Sequence, residues 1–381
     1  MKKIALLGST GSIGRQVLSV VDRYPDKYSI VSLACDKNAE LLQQQINKYK
    51  PKVAGLSHSE YAKNITELPN STTLYTGEHA LHHCILQEAD VVFVAVVGFC
   101  GLSAVLKAIE MGKTIALANK ESLVAGGDLV MPLAREKGVD IIPVDSEHSA
   151  IWQSLCFDKN KPFKKLIITA SGGALKNVPI PELKNVSPKI ALQHPNWQMG
   201  AKITIDCATM VNKGLEVMEA MHLFNCPLDK IEVLIHPQSI IHSMVEYADN
   251  AVIAQLGHPT MDVPIQLALS YPERLETSAP SLAFDKPLTF EKVDLQRYPC
   301  FSLAMQCARE GGVLPCSFSG ANEMAVKLFL AEKIPFTDIY KYIDYALERQ
   351  SQLPVDFKNL FLADMNARMN VLKAFKEKQF D

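Results

Sequence analysis

Residues 3–14 read KIALLGSTGSIG, a short apolar run followed by three glycines at the spacing GxxGxxG. The run predicts a buried strand over residues 3–7, and the apolar periodicity of residues 12–23 predicts the helix that follows it. Glycines in such a strand–turn–helix unit permit a tight turn, and the first free N–H groups of the helix suit a pyrophosphate. The alternative interpretation is an ordinary turn between a strand and a helix.

The alternation of strands and helices continues beyond this unit to residue 145. The sequence predicts further strands and helices, the strands at 29–34, 53–56, 91–97, 114–118 and 140–144 and the helices at 39–49, 102–111 and 122–137. Strands that are nearly continuous runs of Val, Ile and Ala are typical of buried parallel strands. We therefore predict an α/β fold whose N-terminal part is an open parallel sheet with helices on both faces.

The pattern changes after residue 145. We predict strands of a second sheet at 164–169, 203–205, 231–235, 243–246 and 252–255, and helices at 148–155 and 207–223. Residues 171–199 are rich in Pro, Asn and Gly, which is typical of a lid or a disordered loop. A Pro-rich connector follows at 271–299, and the last part of the chain predicts four helices, at 301–310, 320–332, 336–350 and 356–378.

The length and composition exclude several classes of protein. The 381 residues correspond to two or three domains. The 39 basic and 41 acidic residues give a net charge of −2, whereas a general nucleic-acid-binding protein carries a basic excess. No apolar run reaches the roughly 18 residues of a membrane helix, and we expect no signal or transit peptide. Because the nine cysteines include no CxxC pair, we expect reduced thiols in a cytoplasmic protein.

Polar residues follow two of the predicted N-terminal strands. Asp36, Lys37 and Asn38 lie where the ribose of a dinucleotide would bind. Asp36 suits the free 2′-hydroxyl of NAD, whereas Lys37 and Asn38 suit the 2′-phosphate of NADP. The sequence NKE at 119–121 follows another strand, and ligands bind at the carboxyl ends of strands in such sheets. A solvated turn and an exposed ion pair are the respective alternatives.

The sequence DSEH begins at Asp145, just after the predicted strand 140–144. In an extended segment, residues two apart point the same way, so Asp145 and Glu147 are expected to converge. Two converged carboxylates repel each other unless a cation lies between them, and oxygen ligands favour Mg²⁺ or Mn²⁺. A solvated loop is the alternative.

Residues 206–216 read DCATMVNKGLE and are predicted to be largely helical. In a helix, Asn212 and Glu216 share one face, and Lys213 precedes Glu216 by three residues. The helix thus offers a carboxylate for a metal and a pair of residues for an anion. Gly214 costs about 1 kcal/mol relative to Ala in a helix, which we attribute to a close approach to the backbone. An amphipathic surface helix with an ion pair is the alternative.

The long loop carries notable motifs at both ends. Ser171 and two glycines follow a predicted strand and can form a backbone nest for phosphate. Trp197, within HPNWQMG at 194–200, suggests a flap that closes over a ligand, and packing of the indole on the domain is the alternative. Further along the chain, we expect His236 to be a core histidine, whereas His242 fits a core position and a site equally well.

Taken together, these motifs resemble the 1-deoxy-D-xylulose 5-phosphate reductoisomerase family. The resemblance covers essentially the whole chain in order, and the combination is far more specific than any single motif. The matching segments are GSTGSIG (8–14), LANKESLV (117–124), PVDSEHSA (143–150), ASGG (170–173), HPNWQMG (194–200), ATMVNKGLE (208–216), IHPQSIIHSMVEY (235–247) and ANEMAV (321–326).

The resemblance implies conversion of 1-deoxy-D-xylulose 5-phosphate, a phosphorylated ketose, to 2-C-methyl-D-erythritol 4-phosphate in isoprenoid precursor biosynthesis. It implies retro-aldol cleavage and re-addition before hydride transfer, with NADPH, one divalent cation (Mg²⁺ or Mn²⁺) and a homodimer. With the predicted elements, it implies a Rossmann-like NADPH-binding domain at 1–144 and a catalytic α/β domain at 145–270. That domain contains a lid loop at about 171–200 and is followed by a linker at 271–299 and a small helical domain at 300–381.

The resemblance also implies roles for individual residues. The implied metal ligands are Asp145, Glu147 and Glu216. The implied contacts to the hydroxyl and carbonyl end of the substrate are Ser146, Lys120 and His194, and those to its phosphate are Ser171, Asn212 and Lys213, with Cys207 beside them. Trp197 is implied to cover the substrate, and His242 matches a histidine important in the family, so that the catalytic set is Lys120, His194, His242 and Glu216. The implied cofactor contacts are Thr10, Gly11, Ser12, Ile13, Lys37, Asn38, Asn119, Glu121 and Gly200.

Three positions depart from the family pattern. Cys207 replaces a serine that contacts the phosphate, Asp36 replaces a small residue near the ribose, and Ala174 replaces a common proline. Because no metal ligand is changed, these differences bear on phosphate affinity and cofactor preference rather than on the class of reaction.

Two other functions compete with this one. Another metal-assisted NAD(P)-dependent dehydrogenase, acting on a phosphorylated sugar or hydroxy acid, would share the N-terminal half but would not need HPNW and NKGLE together. A non-catalytic dinucleotide-sensing protein is expected to lose the metal carboxylates, and all three are present.

Overall fold

The structure is a computed structural model that describes residues 1–380. Its elements up to residue 145 are β1 (Lys2–Leu7), α1 (Ser12–Arg23), β2 (Tyr28–Cys35), α2 (Ala39–Tyr49), β3 (Val53–Leu56), β4 (Thr73–Thr76), α3 (Ala80–His83), β5 (Val91–Val94), α4 (Cys100–Glu110), β6 (Thr114–Leu117), α5 (Lys120–Lys137) and β7 (Ile141–Pro143). Those that follow up to residue 260 are α6 (Ser146–Ser154), β8 (Lys165–Ala170), α7 (Pro188–Ala191), α8 (Ala201–Ala208), α9 (Val211–Leu223), β9 (Ile231–Ile235), β10 (Ile241–Glu246) and β11 (Val252–Leu256). The last are α10 (Asp262–Ser270), β12 (Glu291–Lys292), α11 (Pro299–Glu310), α12 (Leu314–Leu330), α13 (Asp338–Glu348) and α14 (Phe357–Lys376).

The chain forms two compact units, and each is discontinuous in sequence. The first comprises Met1–Ser122, Val130–Ser149 and Met261–Ala279, and the second comprises Leu123–Leu129, Ala150–Thr260 and residues 280–380. These units group the chain differently from the consecutive domains expected from the sequence. In particular, α10 packs on α1 in the first unit, where Arg23 Nη2 lies 2.9 Å from Asp262 Oδ1.

The first unit contains a parallel sheet of seven strands in the order β4-β3-β2-β1-β5-β6-β7. Strand β1 lies between β2 and β5, so the order of the strands reverses at this point. In such sheets, ligands bind beyond the carboxyl ends of the strands where the order reverses. The predicted open parallel α/β sheet is confirmed, and the GxxGxxG turn follows the strand at the reversal.

The second unit contains a mixed sheet of five strands in the order β11-β10-β8-β9-β12. Strands β8 and β9 are parallel, and the other neighbours are antiparallel. Strand β11 lies at one edge of this sheet, and its residues Val252 and Ile253 are exposed.

A single apolar core in the second unit joins α8 and α9 to the C-terminal helices. Leu215 of α9 and Phe318 of α12 are among its buried members. Leu183, Val186 and Ala191, which belong to the predicted lid loop, are buried in the same core. The first part of this loop is therefore anchored, whereas residues 192–200 are all exposed or half-buried.

Most predicted elements are confirmed, and the exceptions have physical reasons. The strand predicted at 203–205 is wrong, because these β-branched residues lie in α8, where Thr204 and Ile205 are buried. Packing against the helical core overrides their preference for strands. The single helix predicted at 207–223 is divided into α8 and α9, because Met210 between them adopts a left-handed φ of 60°. The short strands β4 and β12 and the helices α3, α7 and α10 were not predicted.

Among residues 1–380, no helix combines the length and the hydropathy required of a membrane span.

Candidate active site

The turn after β1 is shaped by its glycines. A Cβ atom on Gly8 would lie 2.4 Å from the carbonyl oxygen of Ala95, and one on Gly14 would lie 2.2 Å from that of Gly8. Neither position can therefore carry a side chain without moving the backbone. The turn exposes Gly11 and Ser12 at the start of α1, with Thr10 and Ile13 half-buried beside them. Since glycine has no side chain to cap this helix, its first N–H groups are available to an anion.

A buried pair that was not predicted from the sequence fixes this turn. Ser9 Oγ donates to Gln45 Oε1 at 2.6 Å, and Gln45 Nε2 donates to the carbonyl oxygen of Ser9 at 2.9 Å. Gln45 lies on the buried face of α2. A glutamine between the core positions of a helix indicates a buried hydrogen bond, because buried polar groups require partners.

The segment after β2 is exposed, as a binding site for ribose requires. Asn38 Oδ1 accepts a hydrogen bond from the backbone N–H of Leu41 at 3.1 Å and so caps α2. Asp36, whose side chain is 69% exposed, lies 3.3 Å from His58 Nε2 through its Oδ1. Lys37, which lies between Asp36 and Asn38 in the sequence, is also exposed.

Asn119 and Glu121 form a buried network rather than an exposed ion pair. Asn119 Nδ2 donates to the carbonyl oxygens of Val96 and Gly98, both at 3.1 Å, and to Glu121 Oε2 at 3.0 Å. Asn119 Oδ1 accepts from the backbone N–H of Ser122 at 3.1 Å and caps α5. This network joins the loops that follow β5 and β6.

Asp145 is held between two basic side chains of the first unit. Lys120 Nζ lies 2.5 Å from its Oδ2, and His148 Nδ1 lies 3.3 Å from its Oδ1. Burial alone would raise the pKa of Asp145, but the positive charge of Lys120 and the contact with His148 hold that pKa well below its usual value. Asp145 is therefore a carboxylate at neutral pH.

Glu147 lies beside Asp145, although not for the reason expected. The segment is not extended, because α6 begins at Ser146 and Glu147 lies in its first turn. The backbone N–H of Glu147 donates to Asp145 Oδ1 at 3.2 Å, and Ser146 Oγ donates to Glu147 Oε2. A ligand oxygen of Asp145 and one of Glu147 come within 4.8 Å of each other. This pair of carboxylates suits a hard divalent cation.

In the second unit, Ser171 and His194 connect the two ends of the predicted lid loop. His194 Nδ1 accepts from the backbone N–H groups of Asn196 and Trp197, at 3.2 and 3.0 Å. The ring proton therefore lies on Nε2, which donates to Ser171 Oγ at 2.9 Å. Because burial lowers the pKa of His194, the imidazole is neutral at physiological pH.

The turn after β8, where the sequence predicts a backbone nest for phosphate, is built by two glycines of the second unit. Gly172 and Gly173 both adopt left-handed φ angles, 85° and 72°, and the N–H of Gly173 donates to Ser171 Oγ at 3.1 Å. A Cβ on Gly173 would lie 2.6 Å from the carbonyl oxygen of Cys207. This close contact brings the turn against the end of α8, where Cys207 is half-buried.

Within the DCATMVNKGLE segment, Asn212 and Lys213 both contact Glu216. Asn212 Nδ2 donates to Glu216 Oε1 at 2.5 Å, and Lys213 Nζ contacts Glu216 Oε2. The side chains of Lys213 and Glu216 are 5% and 1% exposed, so the predicted pair is not on a surface helix. The close approach to the backbone expected at Gly214 is confirmed, because a Cβ there would lie 2.3 Å from the Cβ of Ala304 on α11. The close approach is that of a neighbouring helix, not of a ligand.

A second buried network, also missed, precedes this helix. Asp206 accepts a hydrogen bond from Asn322 Nδ2 on α12 at 2.8 Å and one from Lys202 Nζ at 2.7 Å. Asp206 and Asn322 are both buried. Gly200 lies directly before α8 and caps it.

The two doubtful histidines differ in their surroundings. His236 Nδ1 donates to the carbonyl oxygen of Thr289 at 2.9 Å, and its Nε2 accepts from the N–H groups of Ile240 and Ile241. It is the core histidine that was expected. His242 contacts Trp197 edge to face, with ring centres 6.0 Å apart. Burial lowers the pKa of His242 to about 4, so its imidazole is neutral.

Trp197 is neither fully exposed nor packed in the core. The indole is half-buried, and its neighbour Asn196 donates through Nδ2 to the carbonyl oxygen of Pro237 at 2.6 Å and to Ser239 Oγ at 2.9 Å. These two bonds tie the HPNW motif to the segment that leads to His242.

Three profiles of one family match consecutive parts of the chain. A profile described as 1-deoxy-D-xylulose 5-phosphate reductoisomerase matches residues 4–127, and that of its C-terminal domain matches residues 141–224. A further profile, DXP reductoisomerase C-terminal domain, matches residues 256–370.

Individual proteins with similar sequences and structures carry the same name. The 1-deoxy-D-xylulose 5-phosphate reductoisomerase of Rippkaea orientalis is 45% identical over an alignment of 387 positions, which covers 99% of this chain and 97% of that protein. A solved structure of the reductoisomerase from Zymomonas mobilis in complex with NADPH is 40% identical, with a TM-score of 0.91 over 98% of this chain and 99% of that chain. Another, in complex with NADPH, fosmidomycin and magnesium, is 37% identical, with a TM-score of 0.95 over the whole of both chains.

Proposed function

Because the chain belongs to the 1-deoxy-D-xylulose 5-phosphate reductoisomerase family, we propose that the side chains described above carry out the reaction of that family. The protein is an NADPH- and divalent-metal-dependent enzyme that converts 1-deoxy-D-xylulose 5-phosphate to 2-C-methyl-D-erythritol 4-phosphate. The observation that best supports this function is that three family profiles match consecutive parts of the chain, from residue 4 to residue 370.

For NADPH, the proposed site is the turn after β1 together with the segment after β2. The backbone of residues 10–13 binds the pyrophosphate at the start of α1, and the ammonium of Lys37 binds the 2′-phosphate. The close packing at Gly8 and Gly14 supports this assignment, because it leaves no side chain between the turn and a ligand. Asn119 and Glu121 support the nicotinamide end indirectly, by holding the loops after β5 and β6 in place.

The divalent cation is assigned to Asp145, Glu147 and Glu216. The donor chemistry of the first two fits, because Asp145 is ionised and an oxygen of Glu147 lies within 4.8 Å of it. Glu216 contributes a third carboxylate from the buried face of α9. When bound, the cation supplies Lewis-acid polarisation of the substrate oxygens, and NADPH supplies the hydride.

The substrate phosphate is assigned to the second unit. Ser171 Oγ already accepts from His194 and Gly173, so its own proton is the group left to donate to a phosphate oxygen. Lys213 supplies positive charge, Asn212 supplies amide donors, and Cys207 supplies a weak thiol donor. Binding of the phosphate, which does not react, contributes energy that positions the reacting carbons.

The reacting end of the substrate is assigned to Lys120, Ser146 and His194. The Lys120 ammonium, held against Asp145, stabilises negative charge that develops on a substrate oxygen. Ser146 contacts the same hydroxyl and carbonyl end. The neutral His194 offers Nε2–H as a donor and orients Ser171 at the same time. Trp197 and the neutral His242 form an aromatic wall that excludes water when the substrate is bound.

We also propose that the protein is a homodimer. The exposed Val252 and Ile253 on the edge strand β11 support this proposal, because exposed apolar edge strands are normally covered. Light scattering on the purified protein tests it, and a monomer at micromolar concentration would contradict it. We also propose a cytoplasmic location, because the cysteines within residues 1–380 are free thiols, which fits a reducing compartment.

The central test is oxidation of NADPH, followed by absorbance, with 1-deoxy-D-xylulose 5-phosphate in the presence and absence of Mg²⁺. The matched variants are Asp145→Asn, which removes the charge that holds a hard cation, and Asp140→Asn, the same change at an exposed position five residues earlier. We expect Mg²⁺-dependent turnover in the wild type and in Asp140→Asn. Asp145→Asn should lose turnover and keep NADPH binding. Near-normal turnover by Asp145→Asn would contradict the assignment of the metal.

A further inference from the structure

Glu216, an assigned ligand of the metal, is contacted by two residues that are assigned to the substrate phosphate, so these residues compete with the cation for its carboxylate. Its Oε1 accepts from Asn212 Nδ2 at 2.5 Å, and its Oε2 is paired with Lys213 Nζ. Both carboxylate oxygens of the assigned metal ligand are therefore engaged by the two residues assigned to the substrate phosphate. The helix imposes this arrangement, because residues three and four apart lie on one face of α9.

Burial makes the competition strong. The side chains of Lys213 and Glu216 are almost completely withdrawn from water, so the charges interact with little screening. An ammonium group against Glu216 repels a divalent cation that approaches the same carboxylate. A phosphate group, which carries up to two negative charges, attracts that ammonium and accepts from the Asn212 amide. A ligand that draws these donors away leaves Glu216 available to the cation.

We propose that Lys213 and Asn212 exchange Glu216 for a phosphate group, so that phosphate and the divalent cation bind with positive cooperativity. The inference rests on the proposed function, because it uses the assigned metal and phosphate ligands. It adds a mechanism by which the phosphate, which does not itself react, prepares the metal site. By linkage, the cation tightens phosphate binding by the same factor.

The test measures Mn²⁺ binding to the full-length protein by electron paramagnetic resonance, at fixed free Mn²⁺, with and without inorganic phosphate. We expect saturating phosphate to increase the Mn²⁺ affinity of the wild type about fivefold or more. Lys213→Met, which keeps the length of the side chain, should bind Mn²⁺ about fivefold tighter than the wild type before phosphate is added. Phosphate should then have no further effect on this variant.

The control for removal of one positive charge is Lys202→Met. Lys202 pairs with Asp206 one helix earlier, at 2.7 Å, and belongs to neither assigned set. This variant should bind Mn²⁺ as the wild type does and keep the response to phosphate. If Lys202→Met tightened Mn²⁺ binding as much as Lys213→Met, the effect would be one of net charge and the inference would be wrong.

Two further variants separate this inference from the proposed function. Asp145→Asn and Glu216→Gln should both weaken Mn²⁺ binding, and unchanged binding in both would refute the metal assignment itself. If they weaken binding but phosphate has no effect on the wild type, the metal site stands and the exchange is refuted. The wild-type measurement requires no variant to fold, so the outcome is decisive even if Lys213→Met is unstable.

Discussion

Gly214→Ala tests whether this glycine serves the packing of helices or the approach of a ligand. It lies between Lys213 and Glu216, so a role in ligand binding is the natural reading of the sequence. In the structure, a Cβ at this position would lie 2.3 Å from the Cβ of Ala304. Two carbon atoms in contact are normally about 3.5–4.0 Å apart, so α9 and α11 would have to separate.

The expected loss of stability follows from two opposing effects. Overpacking of a buried contact costs about 1–3 kcal/mol. The upper part of this range applies, because the obstacle is a Cβ fixed to a helix rather than the end of a flexible side chain. Alanine in place of glycine favours the helix by about 1 kcal/mol. The net destabilisation is therefore about 2 kcal/mol.

The assay is thermal unfolding of Gly214→Ala, Ala304→Gly and the double variant, together with KM for the substrate. Each single variant should melt at a lower temperature, Ala304→Gly because it loses a buried methyl group and about 1 kcal/mol of helix propensity. The double variant moves the methyl group from one helix to the other, so its free energy of unfolding should lie within about 1 kcal/mol of that of the wild type. If Gly214→Ala kept its melting temperature and raised KM, the packing argument would be refuted.

Three substitutions test the assigned ligand contacts. Cys207→Ser should lower KM for the substrate several-fold with little change in kcat. A hydrogen bond to a charged acceptor contributes roughly 1.5–3 kcal/mol, and the thiol already supplies part of this energy. Alkylation of Cys207 at the same rate with and without substrate would contradict the prediction. Trp197→Ala should raise KM and lower kcat together, because it removes the ring that contacts His242 and helps to exclude water. Unaltered steady-state kinetics would show that the indole has only a structural role. Asp36→Gly should lower KM for NADPH and leave that for NADH nearly unchanged, because a negative charge near the 2′-phosphate is removed. His58→Ala, which removes the neighbour of Asp36, serves as the control, and an NADPH constant unaffected by Asp36→Gly would show that this carboxylate points away from the ribose.

The N-terminal sheet could be predicted from the sequence because its signals are local. Buried parallel strands such as β1 and β3 are continuous apolar runs, and α1 and α2 show clear apolar periodicity between them. The strand wrongly predicted at 203–205 marks the limit of such signals. Its Ile-Thr-Ile sequence favours a strand, and only burial in a core built with the C-terminal helices makes α8 a helix.

The same limit applies to the active site. The sequence predicted that Asp145 and Glu147 lie close together, and this proximity is confirmed. The expected geometry was wrong, because the start of α6 and not an extended segment brings them together. The residues that contact these two carboxylates could be predicted from the sequence only in part. Lys120 lies in a recognisable motif, whereas no local pattern indicates that its ammonium lies 2.5 Å from Asp145.

Contacts between residues far apart in sequence explain why single motifs are poor guides to the roles of their members. Gly214 belongs to a motif assigned to ligands, yet the residue that requires it to be glycine is Ala304, 90 positions later. Asp206, in the same segment, is held by Asn322 of α12 at 2.8 Å. The NKGLE helix therefore combines two constraints, a polar face that offers Asn212, Lys213 and Glu216 and a backbone fitted to the helices around it. Substitutions that disturb the second constraint will alter the first indirectly, so stability must be measured beside KM before any residue of this helix is assigned to binding.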